Sequence, residues 1–336
     1  MLSSLCALII AVVSGDRMPT DPPYTFGSAL ERTVTMTQNV RCESPSGRGA
    51  LRSVEIWVAV PSSDERQSIL DLKYSSTPSF FDRDQHGNTF AVFHLGEIQS
   101  GERVSVGWTA RVRTRAVRHT VDVKALLPLR ATPLGIRRQY LGGGGIYDLS
   151  NRQLRDAARE AGHGARNALE LAFKINEYVR ERLSYLNDGR WDPAGLTLQN
   201  GHGSCSEYNF LFMALCRLNN LAARYVGASA LRGDCLTYKD SVHHSWTEVY
   251  LPGHGWFPVD VSRNDGEDGA KVNQFFGSTS ERLLVTMKGD GGRHSPLEWG
   301  YVARIRSHTI GDALMHREKS FTWRPSRKPA TVVYRR

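Results

Sequence analysis

The sequence predicts an α+β chain, and three observations carry that prediction. Residues 24–127 alternate apolar and polar side chains in short runs divided by turn clusters, as an N-terminal β-sandwich requires. From residue 148 the spacing of apolar residues becomes helical. Residues 201–262 then join one almost wholly apolar helix to a β-hairpin, and a cysteine, a histidine and an aspartate lie on them in that order. At 336 residues the chain is long for one domain, so two or three units are expected.

Residues 1–15 have the apolar core and small-residue end of a secretory signal peptide, with Val13 and Gly15 flanking a cleavage point, although no Lys or Arg opens them. This reading places the mature chain outside the cytoplasm, secreted or periplasmic. No stretch further along resembles a membrane span. With Cys6 in the leader and Cys205 reserved for chemistry, Cys42, Cys216 and Cys235 remain, an odd number and no disulfide framework.

The β region is read from its period of two. Val34 and Met36, then Val54, Ile56, Val58 and Val60, then Leu70, Leu72 and Tyr74 point one way. Phe90 and Val92 follow, and Val104, Val106, Trp108, Ala110 and Val112 give the clearest run. Turn clusters separate them at Pro61–Asp64, Asp82–Asn88 and Gly96–Gly101. Residues 128–147, with Pro133 and the four glycines Gly142 to Gly145, read as a linker with little regular structure. Helices are expected near Ser150–Ala161 and Asn167–Leu183, the second burying Leu169, Ala172, Phe173, Val179 and Leu183.

Cys205 sits where a helix begins. Ser204-Cys205-Ser206-Glu207 has the form of a capping box, which makes Cys205 the first helical residue, beside unpaired N–H groups and the positive end of the dipole. A thiol there tends towards thiolate, with a pKa of roughly 3.5–7.5 when a cation is also near. The run Tyr208–Leu218 behind it is apolar on nearly every side, and Cys216, three turns on, belongs to its packing.

His244–Tyr250 and Trp256–Val261 are short runs rich in Trp, Val, Tyr and Phe, joined through Pro252-Gly253-His254-Gly255. The midpoint between His244 and Asp260 is Pro252, so the two side chains are expected across from each other, within a residue or two. A carboxylate beside an imidazole fixes its tautomer, and the imidazole in turn activates a thiol. Adjacent strand residues face opposite ways, so only one of His243 and His244 can serve.

Gly203-x-Cys205-x-Glu207-Tyr208, Arg224-Tyr225-Val226, His244-x-Trp246-x-Glu248-Val249-Tyr250 and Gly255-Trp256-x-Pro258-Val259-Asp260 together resemble the bacterial and archaeal transglutaminase-like proteins, over about residues 140–290. The resemblance implies a papain-like catalytic core across 148–290, its nucleophile on a buried helix packed against an antiparallel sheet; the residues after it, 291–336, read as C-terminal strands and a basic tail. It implies Cys205 as nucleophile, His244 as base and Asp260 as the residue orienting it. Many bacterial members carry an N-terminal sandwich. Two positions depart from the family pattern: Asn220 replaces the usual glycine and Ala222 the usual proline. Asn accepts the left-handed cap conformation, so the chemistry is expected to survive.

No cofactor or metal is called for. The loop Asn264–Gly269 lacks the ligand pattern of a calcium hand, and His202, Cys205, His243 and His244 fit no zinc spacing. Trp191 and Gln199 are candidates to line the site or assist an oxyanion, with backbone N–H groups at Cys205 the better ones. After Lys271 the strand-like runs Leu283–Met287 and Tyr301–Ile305 are expected to extend the catalytic core. The net charge of +9 is scattered, no nucleic-acid motif accompanies it, and charge at this level usually marks a solvated surface; for an exported protein it suits attraction to anionic envelope polymers or acidic protein substrates, not DNA or RNA.

The resemblance implies acyl transfer through a thioester on a peptide or glutamine carboxamide, within a protein or peptide substrate, cell-envelope peptides included. Hydrolysis is favoured over crosslinking, because no motif for the barrels or calcium sites of animal crosslinking enzymes appears. The competing class is a non-catalytic envelope protein that binds peptide or glycan with the same fold.

Overall fold

The computed structural model describes residues 23–265, 272–289 and 295–326. The signal-peptide reading of residues 1–15, most of the acidic loop after Asn264 and the end of the basic tail lie outside them.

The first strands are β1 (Tyr24–Glu43), β2 (Ala50–Val60), β3 (Gln67–Tyr74), β4 (Phe80–Arg83), β5 (Thr89–Gln99) and β6 (Arg103–His119). β1 pairs with β6, which also takes β3, while β2, β5 and β4 make a second sheet. The inner faces meet over Val34, Met36, Ile56, Val58, Phe90, Val92, Val106 and Trp108, all buried. Trp108 spans the two layers by donating its indole N–H to the Ala59 carbonyl at 2.9 Å. Leu70 departs from the expected alternation and is exposed. The register slips between Ile69 and Asp71, and such a bulge turns the residue inside it outward.

The linker is more ordered than its glycines predict. It carries a helix, α1 (Leu134–Tyr140), before α2 (Arg152–Gly162) and α3 (Ala168–Arg182). α3 buries Leu171, Ile175 and Tyr178 along with Ala172 and Val179. Phe173, assigned to the same face, sits at its exposed edge against Phe276, with ring centroids 5.3 Å apart.

The chain continues through β7 (Ser184–Tyr185), α4 (Ala194–Asn200), β8 (His202–Gly203), α5 (Cys205–Leu218), β9 (Ala223–Ala230), β10 (Tyr238–Asp240), β11 (His244–Leu251), β12 (Gly255–Val259) and α6 (Val261–Asn264). It ends with β13 (Ser278–Thr279), β14 (Leu283–Gly289), β15 (Ala303–Ile310) and β16 (Leu314–Pro325). Helix α5 packs against an antiparallel sheet of order β12-β11-β9-β14. Its residues 205–217 are all buried, as the largely apolar run requires.

The strands after residue 300 do not extend this sheet. β15 pairs with β2, and β16 pairs with β1 along twelve residues from Arg32↔Pro325 to Glu43↔Leu314. The reason is burial: Phe321 and Trp323 fill the sandwich core, where Phe321 meets Trp108 at 5.8 Å. β10 pairs with the free side of β16, and β13 with β6, so the long sheet borrows strands from the second half of the chain. Of the two runs expected to extend the core sheet, β14 joins it and β15 does not.

Candidate active site

Cys205 opens α5, and its surroundings follow from the three residues before it. Ser204 is extended and caps the helix, while Glu207 returns its carboxylate to the Ser204 N–H at 2.9 Å and hydroxyl at 2.5 Å. A side chain at Gly203 would meet the Glu207 Cβ at 2.4 Å, so the closed box demands glycine there. The N–H of a first helical residue has no intrahelical acceptor and points out of the helix end.

Asp260 directly follows β12 and caps α6. Its Oδ1 accepts from the Arg263 N–H and the Ser262 hydroxyl, both at 3.2 Å. Oδ2 is left for His244, whose Nε2 lies 2.6 Å away. The hairpin pairs Thr247 with Val259, a register two residues from the expected one. A shift of two preserves the face, so His244 and Asp260 become diagonal neighbours and still meet. The His244 ring stacks on Trp246 at 6.3 Å and 27°.

Asn209 is a contributor that pattern reading passed over. It lies four residues after Cys205, hence one turn below it on the same face. Its Nδ2 donates to the Ser245 hydroxyl at 3.0 Å, and its Oδ1 accepts from the Thr247 hydroxyl at 3.0 Å. Helix α5 and strand β11 are thereby pinned together beside Cys205 and His244. The available signal was an asparagine inside an otherwise apolar run.

The electrostatics couple the two. Burial pushes the Cys205 thiol up, but His244 and then Ser245 outweigh it and hold the thiol below its ordinary value. Burial likewise disfavours a charged His244, but the Asp260 carboxylate and then Cys205 raise the ring to about 9. With Nε2 committed to Asp260, Nδ1 is the nitrogen left for the thiol. The arrangement favours a thiolate beside an imidazolium.

A cleft of about 320 Å³ runs past Cys205, with Tyr185, Trp191, His243, Tyr301 and Lys319 among its walls. Trp191 therefore reaches the site, stacked on Tyr301 at 6.2 Å and 15°. Gln199 does not: it lies exposed on α4, away from this lining. Tyr301 can approach because β9 carries Gly227, where a Cβ would meet the Tyr301 Cβ at 2.3 Å.

His243 departs from strand alternation. Its φ of +64° places it in the left-handed region just before β11, and the residue is among those lining the cleft. The ring packs edge-on to Phe321 at 5.2 Å. His244 alone of the two meets Asp260.

Other motif residues hold the frame. Arg224 and Glu248 are cross-strand partners, their Nε and Oε2 2.7 Å apart, with the guanidinium 4.0 Å over Trp256. Burial would raise the Glu248 carboxyl, but Arg224 and then Lys288 depress it to about 2. Asn220 adopts a φ of +59° after α5, the left-handed turn its position calls for.

Among known proteins, the family model described as transglutaminase-like superfamily matches residues 155–261. No curated protein matches the sequence. A solved candidate cysteine protease from Cytophaga hutchinsonii superposes with a TM-score of 0.62 at 16% identity, covering 90% of this chain and all 100% of its own. The periplasmic domain of TgpA from Pseudomonas aeruginosa gives 0.33 at 16% identity, covering 67% of this chain and 89% of that domain. Red sea bream transglutaminase gives 0.31 at 11% identity, covering 72% of this chain and 49% of the enzyme. Among the described residues no helix is long and apolar enough to cross a membrane.

Proposed function

We propose, from a chain whose residues 155–261 form a transglutaminase-like superfamily domain, that it is a Cys-His-Asp acyl-transfer enzyme acting on a peptide or glutamine carboxamide, and that water is its usual acyl acceptor. The observation carrying this reading is the short bond from His244 Nε2 to Asp260 Oδ2, 2.6 Å, on a ring electrostatically coupled to the thiol at the start of α5.

The Cys205 thiolate attacks the carbonyl carbon, and the Cys205 N–H at the helix start stabilises the oxyanion that forms. His244, already protonated, gives its Nδ1 proton to the departing amine or ammonia and leaves a thioester. The ring then takes a proton from the acceptor, which attacks the thioester and expels the Cys205 thiolate, restoring the ion pair. Asp260 holds the ring and supports its charge throughout without taking a proton.

Crosslinking requires water to be kept from the thioester while a lysine amine enters. Tyr185 and Trp191, on the cleft walls, are both exposed, which favours water. The leader-like residues 1–15 support an extracytoplasmic setting, where a cell-envelope peptide would be at hand. The sandwich, completed by strands from the second half of the chain, is read as a scaffold for the catalytic half.

The test is turnover of glutamine-containing peptides with and without a primary amine in excess. Hydrolysed product outweighing amine adduct supports the reading, provided Cys205→Ala forms neither. Adduct in excess would make the enzyme a crosslinker.

A further inference from the structure

The Cys205 cleft does not end beside the thiol. A second cavity of about 510 Å³ shares Gly189, Trp191 and Lys319 with it and continues towards Trp299, Arg304 and Arg317. Together they form a groove with the nucleophile at one end.

The charges along this groove are unevenly matched. Arg190 is paired with Asp188 at 2.7 Å, and Arg304 with Glu298 at 2.6 Å. Asp240, behind His243, is fully occupied. It accepts from the Arg232 guanidinium at 2.7 Å, the His243 N–H at 2.9 Å and the Ala230 N–H at 2.8 Å. Lys319 and Arg317 form no ion pair with any described residue. Lys319 sits on β16 opposite Gln38, which also lines the larger cavity. The His243 ring next to it is 3% exposed, and neither nitrogen has a hydrogen-bond partner. Asp240 stands 3.7 Å from that ring, beyond hydrogen-bond range. An ammonium without an ion-pair partner and an imidazole without a hydrogen-bond partner line one cleft, and a carboxylate matches both.

We infer that the groove is a substrate subsite for a carboxylate, with Lys319 as its cation and His243 as a supporting donor, so that the preferred acyl donor is an acidic peptide. The inference rests on the reading of Cys205 as nucleophile for its choice of ligand, since a peptide in the cleft would run from the thiol past Lys319 towards Arg317. A carboxylate displaces the water around the ammonium without losing charge balance, whereas a neutral amide leaves that charge uncompensated.

The experiment is equilibrium binding, by fluorescence anisotropy, of two labelled hexapeptides of alternating Ala and Glu or alternating Ala and Gln. It uses the full chain and, in parallel, Cys205→Ala. The acidic peptide is expected to bind at least about tenfold more tightly at low salt, the range of one charge-assisted hydrogen bond. Lys319→Met should reduce that preference to about threefold or less, and Lys319→Arg should retain most of it. Equal binding of the two peptides by the unaltered chain overturns the inference. So does a preference that survives Lys319→Met, which would place the anion elsewhere. If Lys319→Met does not fold, the ratio on the unaltered chain decides. Binding needs no thiol chemistry: an inert Cys205 with a strong preference would sink the catalytic reading alone, and the converse would sink only the subsite.

Discussion

His244 and Asp260 are diagonal neighbours across a hairpin, and their side chains meet at 2.6 Å although the strands pair Thr247 with Val259. The bond depends on parity along the strands more than on exact register. Replacing Asp260 by Asn preserves shape and hydrogen bonding but removes the charge. The expected loss in turnover is about 10–10³-fold, less than the ~10⁴ seen in a serine triad, because a thiol at a helix start needs less help to ionise. Thermal melting should change little. An Asn variant of unaltered rate would make Asp260 structural.

The pH profile carries the same relationship. His244 is raised to about 9 and Cys205 held below its ordinary value, so the reactive ion pair exists between the two. Activity should rise as the thiol ionises and fall as the ring deprotonates near pH 9, a bell belonging to the coupled pair. In Asp260→Asn the main support for the charged ring is gone, so the alkaline limb should move to lower pH. A limb that stays near 9 would assign it to another group.

Thiol reactivity separates the cysteines. Cys42, Cys205 and Cys216 are buried and Cys235 is exposed. Burial raises the Cys216 thiol well above its ordinary value, and the charge of Arg217 offsets only part of it. Iodoacetamide near pH 6, followed by peptide mapping, should mark Cys205 first, because only a thiolate reacts at that pH. Preferential labelling of Cys216 or Cys235 would sink the assignment of the nucleophile.

The two neighbouring histidines should give different kinetic signatures. His244→Ala removes the proposed proton carrier and is expected to lower kcat by at least about 10²-fold. His243→Ala leaves the Asp260 bond intact and should act mainly on KM. Steady-state kinetics on one peptide substrate checks both, and a larger kcat effect at His243 would reverse the assignment.

Arg224 and Glu248 predict a stability effect without chemistry. Glu248→Gln leaves a partly exposed guanidinium with no carboxylate, a change expected to cost less than the about 3–5 kcal/mol of a fully buried pair. Urea unfolding of the Cys205→Ala background measures it free of turnover. A midpoint equal to that background would show the pair contributes nothing.

What this sequence determined alone is what nearest neighbours along the chain decide. The capping box around Cys205, the apolar helix behind it, the hairpin carrying His244 and the alternating strands of the first half are all signalled by short stretches of sequence. Their physical signals, period and capping chemistry, are printed in the order of the residues. The tertiary structure alone decided matters resting on residues far apart in the chain. β16 returns to β1 across some 280 positions because Phe321 and Trp323 find their burial in the sandwich core, and no local period announces that destination. That return brings Lys319 to the cleft. The positive φ of His243 breaks the strand alternation just before β11, and the residue joins the lining of the same cleft. Asn209 acquires its role only once α5 lies on β11 and its amide finds Ser245 and Thr247. A side chain's local pattern says which way it faces; what it faces is settled by packing, which joins distant segments by the burial they share.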